Sequence, residues 1–119
     1  MNTKKIVNLD VFSGNEGTQI RQIFSPKDTD NRIRYSIAHC TIKPGSNSKP
    51  HKMKTSEIYY ILQGNGIMHI DEEQKVVKKN ETIFVPPMAR QFIENNGEND
   101  LIALCIVDPA WKQEDEITE

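Results

Sequence analysis

One histidine, one methionine and one glutamate stand close together in the stretch Pro44 to Gly66, PGSNSKPHKMKTSEIYYILQGNG. A Pro-Gly turn opens the stretch and a Gly-Asn-Gly turn closes it. Extended backbone sends successive side chains to opposite faces, so His51 and Met53 share a side that Lys52 and Lys54 do not. Lysines seek water, which assigns the His/Met side to the interior. After Thr55-Ser56, the run EIYYILQ puts Glu57, Tyr59 and Ile61 on one face and Ile58, Tyr60 and Leu62 on the other. Glu57 is a charge among apolar neighbours, costly to bury unless it is paired or bound to a metal. An imidazole, a thioether and a carboxylate in one enclosed place could ligate a metal ion. The same residues also permit a plainer arrangement, with His51 and Glu57 as a buried ion pair and Met53 as a core filler.

The spacing from Gly45 through His51, Met53 and Glu57 to Gly64 reads G-x5-H-x-M-x3-E-x6-G. It resembles the first motif of the cupin superfamily, G-x5-H-x-H-x3,4-E-x6-G, at every position except the second histidine. The segment NETIFVPPMARQFIEN resembles the second motif, G-x5-P-x-G-x2-H-x3-N. Pro86 and Asn95 match it, while Asn80, Met88 and Gln91 stand for the two glycines and the histidine. The resemblance runs from about Tyr35 to Val107. It implies an all-β fold: a single double-stranded β-helix, or jelly-roll-like barrel, with a short C-terminal tail. It also implies four ligands at the barrel's open end, namely His51, Met53, Glu57 and Gln91. Tyr59 and Ile61 would line the pocket beyond them.

A metal held there would be a transition ion: copper, nickel, zinc, iron or manganese. Met53 favours soft copper(I), Glu57 favours harder ions, and Gln91 adds only a neutral amide. Family members with a full ligand set are oxygenases, isomerases, epimerases or decarboxylases on small acids and sugars. Three functions follow as alternatives: a metal-dependent enzyme on a small polar metabolite, a non-catalytic pocket that binds or senses a small molecule, and an interaction protein with a vestigial pocket.

The chain has 119 residues and a formal net charge of −2. That length fits one domain, 1–119, with a core over about 33–107, N-terminal strands within 1–24 and a tail over 108–119. Lysine and arginine are interspersed with acids, and no basic stripe exists, which argues against nucleic acid as a partner. No apolar run is long enough to span a bilayer, and MNTKKIVNLD lacks the apolar region of a signal peptide. A cytoplasmic setting is expected. Cys40 and Cys105, the only cysteines, sit in strand-like runs and read as free core thiols, with a redox role as the alternative.

Strands are expected over Ile6–Phe12, Thr18–Phe24, Ile33–Ile42, Gly66–Ile70, Lys75–Lys78, Thr82–Val85, Ala89–Glu94 and Leu101–Val107. A turn is expected over Ser13–Gly17 and a loop over Ser25–Asn31. Gly66–Ile70 reads as a hairpin return of the Glu57 strand. Alternation places Ala38, Cys40 and Ile42 on one side and Ile37, His39 and Thr41 on the other, and it puts Gln91 with Ile93. His39 and His69 read as structural residues. LIALCIV reads as buried on both faces. The tail reads as a short helical turn anchored by Trp111 and then a frayed, solvated acidic end. Ile58, Tyr60 and Leu62 make an outward apolar face that needs a cover: the N-terminal strand, Trp111 or a second subunit. A homodimer is the expected answer.

Overall fold

The computed structural model describes residues 1–13 and 18–119. The expected turn over Ser13–Gly17 lies, apart from Ser13, outside the described residues. Eleven strands are described, and they form two antiparallel sheets packed face to face. The first sheet has the order β1 (Phe12–Ser13), β2 (Thr18–Phe24), β3 (Ser36–Ile42), β10 (Leu101–Asp108), β5 (Ser56–Gln63) and β8 (Thr82–Val85). The second has the order β11 (Glu116–Thr118), β4 (His51–Met53), β9 (Gln91–Glu94), β6 (Asn65–Ile70) and β7 (Glu73–Lys78). This is the jelly-roll expected from the motifs.

Between the sheets lies the core of Ile42, Tyr59, Ile61, Met68, Val85, Ile93 and Leu101 with smaller neighbours. Period-two alternation builds it. In β10, Leu101, Ala103, Cys105 and Val107 are buried while Ile102, Leu104 and Ile106 are half-buried. The expectation of burial on both faces is therefore corrected: this strand has one inner and one outer face, and its outer residues are apolar too.

Three other expectations change. Ile6–Asn8 is a 3-10 turn, and of the expected first strand only Phe12 pairs with β2, joined by Ser13 from the expected turn. The Asp28 side chain accepts from the Ser25 amide at 2.9 Å, and this capping box makes Pro26–Thr29 a 3-10 turn within the expected loop. The third correction concerns β6, which is not the hairpin return of β5. It pairs with β7 and β9 in the other sheet. Gly64 makes the transfer: it has φ +82, and a Cβ there would meet the Asp100 carbonyl oxygen at 2.5 Å. Only glycine turns this corner so close to another backbone.

The tail is ordered differently from the frayed end expected. After a 3-10 turn over Gln113–Asp115, β11 pairs with β4 and sets Glu116 opposite Met53 and Thr118 opposite His51. The Lys54 amide donates to the Asp115 carbonyl at 2.9 Å, and Arg90 Nε bonds the Glu119 carboxylate at 2.8 Å. Trp111 anchors the approach through its amide, which donates to Ser36 Oγ at 2.9 Å.

Candidate functional site

Strand alternation delivers the four predicted ligands to the inner side. Met53 is 3 % exposed, Glu57 6 % and Gln91 1 %, with His51 half-buried. β4 and β9 pair His51 directly with Gln91. Tyr59 and Ile61, the predicted wall, are buried beside Glu57 on β5.

Each polar group has a definite environment. His51 Nδ1 lies 2.7 Å from the Lys49 carbonyl. A carbonyl can only accept, so in the neutral ring Nδ1 carries the proton and Nε2 the lone pair. Nε2 points towards Glu116 Oε1 at 3.9 Å. Tyr59 donates its hydroxyl to Gln91 Oε1 at 2.6 Å. Burial holds the Tyr59 phenol well above its ordinary pKa, and the nearby Glu57 charge adds to this.

Glu57 Oε1 is buried and has no hydrogen-bond partner. Burial pushes the carboxyl up to about 7; the Gln91 side chain opposes that, the Glu116 charge reinforces it, and Tyr59 and Cys105 oppose it more weakly. A buried carboxylate oxygen without a partner is expensive and calls for a proton or a cation.

The donor chemistry fits a metal at His51 and Glu57. One has a free, oriented nitrogen lone pair, the other an unpartnered buried oxygen, and the Met53 thioether lies on the face of β4 that carries His51. Gln91 fits less well, because its amide oxygen is already taken by Tyr59. Among the described residues, no three His, Cys, Asp or Glu side chains gather as a metal cluster.

Glu116 went unread in the sequence. The acidic run QEDE gives no spacing signal, and only the pairing of β11 with β4 brings this carboxylate to His51. The other histidines lie apart from the site. His69 stacks on Phe92 with ring centroids 4.1 Å apart and sits 3.2 Å from a Glu94 carboxylate oxygen. His39 lies opposite Arg21 between β2 and β3, where burial and that arginine's charge lower its pKa. Arg34 makes a two-pronged bond to Asp108 at 2.8 and 2.9 Å on the surface. A cleft of about 580 Å³ opens between β7 and β8, and none of the four predicted ligands lines it. It reaches Ile70, the cross-strand partner of Gln91.

The glycine positions of the second motif gain a physical meaning. Asn80 and Met88, which replace them, have φ values of 71° and 67°. The fold demands left-handed backbone there, and this chain meets the demand without glycine.

Known proteins resemble this chain in sequence and in fold. The Cupin domain family matches residues 38–107. An uncharacterised protein of Methanocaldococcus jannaschii is 40% identical over 101 residues, which cover 84% of this chain and 80% of that one. An oxalate-binding protein of Thermotoga maritima is 30% identical over 95 residues, 79% of this chain and 78% of that one. The crystal structure of a Thermotoga maritima protein, described as a predicted oxalate decarboxylase, superposes with a TM-score of 0.78 at 25% identity, over 91% of this chain and 99% of that one. With two motifs, a jelly-roll and these relatives in agreement, the chain belongs to the cupin superfamily.

Proposed function

We propose that the pocket holds one transition-metal ion through His51 and Glu57, with Met53 beside them, and presents it to a small carboxylate-bearing metabolite. The observation that carries this reading is the buried, unpartnered Glu57 Oε1 on the inner face of the first sheet, beside Gln91, the strand partner of His51 on the second. A relative named for binding oxalate supports the ligand class. Charge supports the need for a metal. With Glu57 and Glu116 at the site, an anion entering alone meets like charge, and a cation removes that obstacle. When bound, the ion supplies Lewis acidity towards a carboxylate oxygen. Gln91 and Tyr59 act through their mutual hydrogen bond, fixing the pocket floor rather than ligating. Turnover of oxygenase, isomerase or lyase type would build on that binding.

The test is calorimetric titration of oxalate into chelator-stripped protein and into protein loaded in turn with manganese, iron, nickel, zinc or copper. Binding that needs metal, and that is lost in His51→Ala and Glu57→Gln, supports the reading. Equal oxalate binding by the stripped protein, or no metal uptake, overturns it. A second reading, a small-molecule pocket that works without metal, is favoured by the occupied amide oxygen of Gln91. It predicts ligand stabilisation of the stripped protein.

We also propose that the protein is a homodimer and works in the cytoplasm. Ile37, Ile106, Ile58 and Phe84 form one cross-strand row on the outer face of the first sheet. Ile58 is 41% exposed, Phe84 61% and the adjacent Tyr60 38%, so neither the N-terminal segment nor Trp111 covers them. Light scattering should give a dimer that Phe84→Glu with Ile58→Glu makes monomeric; a monomeric wild type refutes it. Among the described residues, no helix is long and apolar enough to cross a membrane.

A further inference from the structure

Cys40 and Cys105 are the chain's only cysteines, and the fold brings them together from 65 residues apart. β3 and β10 are adjacent, pairing Cys40 with Ala103 and Cys105 with Ala38, so the cysteines are diagonal neighbours on the inner face. Their sulfurs lie 3.2 Å apart, with the Cys105 thiol donating to Cys40, and both are free thiols. A contraction to about 2.05 Å separates this contact from a covalent link. The two sulfurs differ in access: Cys105 is buried, whereas Cys40 is only half-buried. Cys105 also faces Tyr59 across β5 and lies diagonal to Glu57, which puts the pair at the floor of the site.

We propose that Cys40 and Cys105 are a redox-active dithiol that a hydroperoxide closes into a cross-strand disulfide beneath the pocket. In the first step Cys40 sulfur attacks the peroxide oxygen. The O–O bond breaks, Cys40 becomes a sulfenic acid, and one water (or an alcohol, from an alkyl peroxide) leaves. In the second step Cys105 sulfur attacks Cys40 sulfur and expels hydroxide, which leaves as water with the Cys105 proton. The dithiol loses two electrons and two protons, and the peroxide is reduced by the same two electrons. Closure removes the Cys105 S–H from beside Glu57, so the oxidation state of the pair alters the surroundings of that carboxyl.

The test treats the full chain with hydrogen peroxide in excess chelator, which separates the outcome from any metal in the pocket. Intact mass should fall by two hydrogen atoms with no covalent link between chains. A non-reduced digest should join the peptides carrying Cys40 and Cys105, and dithiothreitol should restore both thiols. Cys105→Ser should leave a sulfenic acid on Cys40, captured by a 1,3-dione reagent. Cys40→Ser should keep Cys105 as a thiol at the same peroxide dose. Addition of oxygen atoms without the internal link, a link between molecules, no reaction, or equal oxidation of Cys105 in Cys40→Ser would each overturn the assignment.

Discussion

Replacing Glu57 by glutamine should abolish this site's loss of stability in alkali. Burial raises the Glu57 carboxyl from an ordinary 4.5 to about 7 in the folded protein. Below pH 4.5 the carboxyl is protonated in both folded and unfolded chains and costs nothing. Between 4.5 and about 7 the unfolded chain sheds the proton while the fold retains it, so stability falls as pH rises. At about 1.4 kcal/mol per unit the full loss above pH 7 is about 3 kcal/mol. In a domain of this size that is roughly 10 °C in melting temperature. Glutamine keeps the shape and cannot ionise. Urea unfolding in chelator, across about pH 4.5 to 8.5, should show Glu57→Gln gaining on the wild type with every step in pH and ending about 3 kcal/mol ahead. Adding a metal that the pocket accepts should close that gap from the wild-type side, because a cation favours the ionised carboxylate. Two curves that stay parallel throughout would show that Glu57 is not isolated from water and would refute the burial argument.

Three further outcomes are expected. Gln91→Leu deprives the buried Tyr59 hydroxyl of its acceptor and should cost about 1–3 kcal/mol in denaturant unfolding, with most of the loss recovered by adding Tyr59→Phe; additive losses would mean the 2.6 Å bond carries no energy of its own. Met88→Gly relieves left-handed backbone at φ 67° and should raise stability by about 0.5–1 kcal/mol, whereas Met88→Ala, which keeps the strain, should not. Gly66→Ala would drive a Cβ into the Glu94 carbonyl oxygen and the Leu101 side chain and should cost about 2–4 kcal/mol by thermal unfolding, a loss that an unchanged melting point would contradict.

The parts of the fold that could be read from the sequence were those fixed by a short period. Alternation put Ala38, Cys40 and Ile42 on one face of β3, and they share the inner side on which Gln91 and Ile93 are also buried. Glycine and asparagine turns bounded most strands correctly. What stayed hidden depends on which strands meet. Gly64 reads locally as a hairpin turn, yet it sends β6 to the other sheet because the Asp100 backbone fills the space alongside. Glu116 sits in an acidic run with no periodic signal, and it approaches His51 only because β4 offers a free edge to the tail. Motif spacing named Gln91, but it could not reveal that Tyr59 claims the amide oxygen, since that partner comes from the opposite sheet.

The tail's anchorage makes the protein its own optical probe. Trp111 is the only tryptophan, it is partly open to water, and its indole N–H lies 3.3 Å from Glu116 Oε2, the carboxylate whose other oxygen faces His51. Whatever pulls Glu116 towards the pocket, or frees β11 from its edge, must disturb that indole. Ultraviolet emission from unlabelled protein therefore gives a direct signal for occupancy beneath the C-terminal strand, one that can be followed on the millisecond scale of rapid mixing.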